Sequence, residues 1–536
     1  MTKESFLKGA AILGIAGIVV KILGAVYRIP LVNIISSDGM GYYQTSYPLY
    51  TLLLTISTAG FPTAVAKLVS EKRALGNYKG AYRVFKISFF GMTLIGIITS
   101  VFIYFNARTI VSLIENNNAY YSLIALAPAL LFVPIMSSFR GYFQGTQSMT
   151  QTAVSQVVEQ LFRVGVGLFL AYYLLDMGLP QAAGGAAFGA SAGAIIGTIV
   201  IIIMYMLNRP KMINEIKKSA NYKLDSVGVI LKRLLSIAIP ITIGAAIVPI
   251  MNNIDVIIVL RRLTTIGFTQ AEANDLFGQL GGMAQTLINF PQVFSMALVM
   301  SIVPAIAHAS TRKNYEGIRQ ITKSGVRVTI LIGLPASLGL FILSTPIIKL
   351  LYFSEDLETL ISTGQILQIL AFSVIFLTLV QSLTAVLQGM GKTIIPVRNL
   401  AIGAVVKTIV TFTLVGIPEI NVRGAAIGTV CAYMTASILN FIAVKRYTKT
   451  TFNFIDVLLK PVISVIIMTI TVWYSYTFIY SILGGRIATV IAIFIGAVVY
   501  GLSLLLLGSL TTRDFELLPK GDKLAKILKS MKLLRK

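Results

Sequence analysis

Residues 141–170, GYFQGTQSMTQTAVSQVVEQLFRVGVGLFL, align without a gap to residues 385–414, AVLQGMGKTIIPVRNLAIGAVVKTIVTFTL, and this pairing decides the architecture. It sets Gln144 and Gly145 over Gln388 and Gly389, and Arg163 over Lys407. GGAAFG (184–189) then meets RGAAIG (423–428) after a small gap, and FPTAVAKLVSEKRALGNYKGA (61–81) is similar to VPAIAHASTRKNYEGI (303–318). Self-similarity over such a distance means that the chain is built from two copies of one unit.

Composition says what solvent the copies fold in. Of 536 residues, 56% are hydrophobic and 12% are charged, far from the balance of a soluble globular domain. A helix crosses the hydrocarbon with about 20 mostly apolar residues, and the runs here are too long for barrel strands. The chain reads as an all-α polytopic membrane protein with about fourteen spans, centred near residues 20, 55, 95, 132, 163, 195, 245, 293, 335, 375, 407, 434, 468 and 497. The first apolar run carries Lys21 and lacks a small-residue cleavage site, so it reads as a retained helix rather than a signal peptide.

Six helices per copy keep the two copies in the same membrane orientation, as parallel repeats with the substrate path expected between two lobes. The expected division is 1–223 for the first lobe, 224–450 for the second, 451–510 for two additional spans and 511–536 for a basic amphipathic cytoplasmic tail. Leu524, Ile527, Leu528 and Met531 share one face of that tail among lysines, which suits the anionic inner leaflet or a solvated basic end.

The net charge of +25 is mostly a topology signal rather than a nucleic-acid footprint. Basic residues crowd alternate loops, 67–86, 208–223, 310–327 and 445–449, while 35–39, 112–118 and 353–358 are neutral or acidic. The positive-inside rule then puts both termini in the cytoplasm.

No catalytic constellation, metal cluster or cofactor motif stands out. The single cysteine, Cys431, has no disulfide partner, and the single histidine, His308, ends a span among polar residues. GMGKT (389–393) resembles the end of a phosphate-binding loop, but the required first glycine falls at Val386 and the twin segment GTQSMT has no lysine. Without a nucleotide site, transport work is expected to come from a coupling ion (Na+ or H+), the membrane potential or the substrate's own gradient.

The informative residues are charges inside spans. Lys21 and Arg28, seven apart, share a stripe of the first helix with Gly14, Gly17 and Gly24. A charge near the bilayer centre costs several kcal/mol, so it belongs against protein or water rather than lipid. Lys21 lies about 20 Å along a helix starting near residue 7, whereas Arg28 is near enough to the outer surface to snorkel. Arg140, Arg163 and Lys407 add cations; Glu159 sits one turn from Arg163, and Asp255 either partners a cation or binds a coupling ion. Gln285, Asn289 and Gln292, with Gln156 and Gln160, suit either sugar hydroxyls or interhelical hydrogen bonds. Gly24 and Pro30 make the first helix a bending element. A path whose buried charges are mainly positive favours an anionic passenger.

VKILGAVYRIPLVNIISSDGMGYYQTSYPLY (20–50), STAGFPTAVAKLVSEKRALGN (57–77) and AVLQGMGK (385–392) resemble the polysaccharide-biosynthesis branch of the multidrug/oligosaccharidyl-lipid/polysaccharide (MOP) exporter superfamily. Within it, the chain is similar over essentially its whole length to the stage V sporulation protein B type, which includes MurJ-like lipid II flippases. The resemblance implies a flippase of the bacterial cytoplasmic membrane that carries lipid II, an undecaprenyl-diphosphate-linked saccharide, from the inner to the outer leaflet for peptidoglycan assembly, by alternating access. It transfers a basic residue onto Lys21 and, more loosely, onto Arg28. The family arginine before Pro291 is missing from GGMAQTLINFP, leaving Lys407 or Arg261 as substitutes. The rival readings are a flippase for another polysaccharide repeat, a cation-coupled drug exporter of the same superfamily, and a non-transporting scaffold of a cell-wall or sporulation complex.

Overall fold

The computed structural model describes residues 3–509 apart from 220, 221 and 223, so the expected amphipathic tail lies outside the described residues. Every regular element among the described residues is helical. Contacts divide the chain into two compact units, Met1–Thr264 with Phe268–Gly278, and Thr265–Gly267 with Gln279–Lys536. The first holds α1 (Lys3–Thr58), α2 (Phe61–Ala74), α3 (Tyr78–Leu113), α4 (Tyr120–Ala125), α5 (Ala127–Gly145), α6 (Met149–Tyr173), α7 (Leu179–Lys217), α8 (Val227–Thr265) and α9 (Gln270–Gly278). The second opens with a π-helical turn, Gln279–Ala284, followed by α10 (Gln285–Ile288), α11 (Phe290–Thr311), α12 (Tyr315–Ile342), α13 (Ser344–Leu351), α14 (Leu357–Gly389), α15 (Ile394–Val415), α16 (Arg423–Thr448), α17 (Lys460–Leu483) and α18 (Gly485–Leu506). By contact, then, α8 goes with the first unit, although the repeat starts its second copy near residue 224.

Among the described residues, thirteen helical runs are long and apolar enough to cross a bilayer, and the first, Ile12–Ala74, has 63 residues. Straight, it would measure about 95 Å at 1.5 Å per residue, against about 30 Å of hydrocarbon. It therefore accommodates two crossings, and the count becomes the expected fourteen. The two crossings are separated where α1 leaves helical geometry, at Ser36 (φ 59°, ψ 177°). The helix runs on through Gly24 and Pro30, and its non-helical residue is Ser36.

What sets the helix ends is local chemistry. Proline occupies the first turn of α2, α5, α7, α11 and α17, where its missing N–H removes no helical bond. The repeat is visible in the caps: Asn77 Oδ1 accepts from Gly80 N at 2.7 Å to start α3, and Asn314 Oδ1 accepts from Gly317 N at 2.9 Å to start α12. Replacing either asparagine by Ala is expected to lower stability by about 0.5–2 kcal/mol. Buried Asn77 should fall at the upper end and exposed Asn314 at the lower, as read from the thermal denaturation of the two variants.

The same close approaches recur inside each unit. A Cβ on Gly145 would meet Val69 Cβ at 2.7 Å and Ala66 O at 2.8 Å, where α5 crosses α2. A Cβ on Gly389 would meet Ile306 Cβ at 2.7 Å and Val303 O at 2.9 Å, where α14 crosses α11. By sequence, Ala66 and Val69 correspond to Val303 and Ile306. Likewise Gly189 presses on the Arg163 carbonyl and Gly167, while its counterpart Gly428 presses on the Lys407 carbonyl and Thr411. The aligned glycines are thus retained where two helix backbones touch, as small-residue packing in a membrane requires.

Candidate cationic site in the first unit

The α6–α7 seam fixes the position of the charged residues of α6. Hypothetical Cβ atoms on Gly189 and Gly193 would fall 2.4 Å from the carbonyls of Arg163 and Glu159, so α7 holds these two turns of α6 at backbone contact. The row Gly185, Gly189, Gly193 and Gly197 is packing, since a Cβ on each would meet α6 at 3.0 Å or less.

On α1, Ile15, Val19, Ile22 and Val26 form the exposed apolar stripe. At about 100° per residue, Lys21 lies roughly 130° around the helix from the middle of that stripe. Gly24, one turn on from Lys21, faces α6, because a Cβ there would meet Gln160 Nε2 at 3.3 Å. Lys21 is exposed yet on the α6 side of its helix, away from the surface suited to acyl chains. Among the described residues it makes no ion pair.

Further along α1, Tyr43, Tyr47 and Tyr50 bring aromatic rings to the same region. Tyr43 and Tyr47 stack at 5.3 Å between centroids, and Tyr47 and Tyr50 lie at 5.6 Å. Two guanidinium groups meet the Tyr47 ring: Arg163 Cζ at 5.3 Å from its centroid and Arg28 Cζ at 6.0 Å. Arg163 also donates Nη2 to Tyr47 Oη at 2.5 Å. Tyr27 is buried and donates its hydroxyl to the Ala186 carbonyl at 3.1 Å, tying α1 to α7.

Glu159, one turn from Arg163, pairs with a different arginine. Glu159 Oε2 accepts from Arg140 Nη2 of α5 at 2.8 Å, and Arg140 Nε donates to Ser155 Oγ at 2.9 Å. Spacing on one helix put Glu159 beside Arg163, but a guanidinium from the neighbouring helix reaches it with better geometry. Among the described residues Arg163 has no carboxylate within ion-pair distance; its polar partner is a phenol. Lys21 and Arg163 thus leave a positive excess on the facing sides of α1 and α6. Each cation–π contact contributes about 0.5–2 kcal/mol and leaves guanidinium edges able to donate to an anion.

The remaining sequence candidates fall elsewhere. Arg261 lies at the end of α8, half-exposed, where its Nη2 donates to the Leu113 carbonyl at 2.6 Å and its Nε lies 3.9 Å from Glu115, so it finishes α3. Asp255 is half-buried on α8. In the second unit Lys407 is 5% exposed, buried between α15 and neighbouring helices rather than turned to lipid. Gln292 Nε2 donates to Asn289 Oδ1 at 2.7 Å and lies 3.5 Å from Gln381, which makes this stretch an interhelical network. Gln285 is half-buried nearby, just after the π-helical turn. Beside Pro291 an apolar hollow of about 540 Å³ opens between α11, α12, α17 and α18, lined by Phe290, Phe294, Pro335, Met468, Val472 and Tyr500 among others.

Tyr47 was missed from the sequence, although QTSYPLYT carries its signal: tyrosines at 43, 47 and 50 follow helical spacing and fall on one face. So was a polar clamp at the α1 break. Asn274 Nδ2 donates to the Asp38 carbonyl at 2.8 Å, and Asn116 Nδ2 donates to Asn274 Oδ1 at 2.8 Å and Thr45 Oγ1 at 2.9 Å.

Comparison with known proteins places these features in context. The polysaccharide biosynthesis protein family model matches residues 6–310, more than half of the chain, and the MatE family model matches residues 281–413. The lipid II flippase MurJ of Bacillus subtilis (strain 168) is 28% identical over 517 residues, 93% of this chain and 94% of the relative. Stage V sporulation protein B of the same organism is 26% identical over 450 residues, 83% of this chain and 85% of the relative. A solved structure of lipid II flippase MurJ in an inward closed conformation superposes with a TM-score of 0.68 at 18% identity, covering 92% of this chain and 98% of that one.

Proposed function

The chain belongs to the polysaccharide biosynthesis protein family, within the MOP superfamily of flippases and transporters, and from that premise we propose that it flips a lipid-linked saccharide, specifically lipid II, across the bacterial cytoplasmic membrane. The single observation that carries this reading is the cationic face of the first unit, where Arg28 and Arg163 meet the Tyr47 ring and exposed Lys21 lies two turns before Arg28 on α1, while the nearby acid, Glu159, is taken by Arg140. Such a face suits the diphosphate of an undecaprenyl-linked precursor, because a desolvated phosphate needs charge-assisted donors. Guanidinium groups already laid against a ring lose little freedom on binding.

In this mechanism the headgroup reaches the cationic face from the cytoplasmic leaflet, and alternating access releases it to the outer one. The diphosphate pairs with Lys21 first, since that ammonium is exposed, then with the Arg163 guanidinium, whose polar partner is a phenol and not a carboxylate. Binding must differ between the two states, or it shifts nothing. The prenyl tail stays in the apolar phase of the membrane. Both termini lie in the cytoplasm on this reading. A Na+ or H+ gradient or the membrane potential drives the cycle, with Asp255 as the acid placed to sense an ion. The protein is a transporter rather than an enzyme.

Depletion of the protein in a strain without another flippase is expected to trap labelled lipid II in the inner leaflet. Accumulation of a different lipid-linked repeat would reassign the cargo. Even distribution of lipid II across both leaflets would remove the flippase reading. A drug exporter of the same superfamily should show acids where this face shows cations, and a scaffold should tolerate loss of those cations.

A further inference from the structure

A second hollow, of about 490 Å³, lies in the second unit where α13, the start of α14, the end of α17 and the start of α18 converge. Its chemistry is one-sided. Lys349, Arg486, Thr477, Tyr476 and Tyr480 supply ammonium, guanidinium and hydroxyl groups to the wall, and no carboxylate lines it. The neighbouring acids Glu355, Asp356 and Glu358 lie outside the lining; Asp356 Oδ1 accepts from Thr359 N at 3.4 Å to start α14. Among the described residues neither Lys349 nor Arg486 makes an ion pair, while the Arg486 guanidinium carbon lies 5.8 Å from the Phe353 ring centre.

The rest of the wall is apolar: Pro346, Leu350, Phe353 and Leu360. Next to it Trp473, Tyr474, Phe478, Tyr480 and Ile482 are all exposed, the aromatic density that marks a membrane–water interface. A ligand must therefore satisfy two unneutralised cations with an anion and cover apolar side chains with a greasy body. A soluble anion meets only the first demand, and a neutral lipid only the second.

We infer that this hollow, built from α13, α17 and α18, binds the phosphate of an anionic membrane lipid, with its chains laid along the exposed aromatic face of α17. Lys349 and Arg486 hold the phosphate oxygens from two sides, and Tyr476 and Tyr480 donate hydroxyls. Arg486 is presented to the anion edge-on because its plane is occupied by Phe353. The site uses none of the residues of the cationic face of α1. The two helices it depends on, α17 and α18, lie outside the repeated unit, so no counterpart is expected in the first copy.

The test is lipid binding by the purified full chain in neutral detergent, followed by native mass spectrometry with dioctanoyl phosphatidylglycerol, dioctanoyl phosphatidylcholine or inorganic phosphate. The wild type is expected to prefer the phosphatidylglycerol by about tenfold or more. K349Q/R486Q should erase that preference and K349R/R486K should keep it. Inorganic phosphate at equal concentration should displace little lipid. An unchanged preference in K349Q/R486Q overturns the site, and displacement by inorganic phosphate as effective as by the lipid itself overturns the lipid assignment. If K349Q/R486Q melts early without lipid, R486Q alone reads the same preference from an exposed side chain. The readout is binding, so it stands or falls separately from translocation of any cargo.

Discussion

Replacing Lys21 by Ala is expected to lower cargo translocation about tenfold or more, and to abolish growth where the protein is the sole flippase, without changing its folding or its amount in the membrane. The magnitude follows from what is lost. A hydrogen bond to a charged group contributes about 1.5–3 kcal/mol, and each 1.4 kcal/mol is tenfold in an equilibrium. The selectivity for function follows from where the residue sits: Lys21 is exposed and makes no ion pair among the described residues, so its removal opens no cavity and orphans no buried carboxylate. Lys21→Arg should retain most activity, since the charge stays and the side chain is exposed, whereas Lys21→Glu should be worse than Ala by repelling the diphosphate. Arg163→Met differs in kind. It removes the partner of the Tyr47 hydroxyl as well as a cation, so a fall in both activity and melting temperature is expected. Growth of the Lys21→Ala strain at the wild-type rate would take this residue out of the mechanism.

Much of the architecture was legible because it is written in short-range patterns. The fourteen spans follow from apolar runs, and the repeat from an Asn-x-x-Gly cap and a glycine at each close crossing, which need only local sequence to be recognised. The site was legible as residue types and illegible as partners. Glu159 and Arg163 are one turn apart, yet Arg140, nineteen residues before Glu159, takes the carboxylate from another helix. Lys407 aligns with Arg163 but is buried in its own unit, because the repeat conserves helix contacts and not what surrounds a side chain. Nor does local sequence mark the break at Ser36, which lies two residues before the Asp38 carbonyl that Asn274 of α9, more than two hundred residues away, meets as donor.

That remote helix carries the other large effect. Gly278→Ala is expected to destabilise the protein severely, because the added Cβ would fall 1.9 Å from the Ser37 carbonyl oxygen and 2.9 Å from Gly41 N. Both are backbone atoms next to the α1 break, so no rotamer change relieves the clash and one segment must move. Overpacking typically costs about 1–3 kcal/mol and more when only backbone can yield. Here the movement also pulls at Asn274, four residues earlier in α9, whose Nδ2 donates to the Asp38 carbonyl and whose Oδ1 accepts from Asn116. Losing a hydrogen bond of this buried clamp costs about 0.5–1.5 kcal/mol more. Gly17→Ala in α1 serves as the control, since a Cβ there meets nothing within 4 Å and Ala is the better helix former. The two variants should therefore separate widely in thermal stability, Gly17→Ala at or above wild type and Gly278→Ala far below. Equal melting of the two would mean that α9 does not hold the broken segment of α1 in the folded protein.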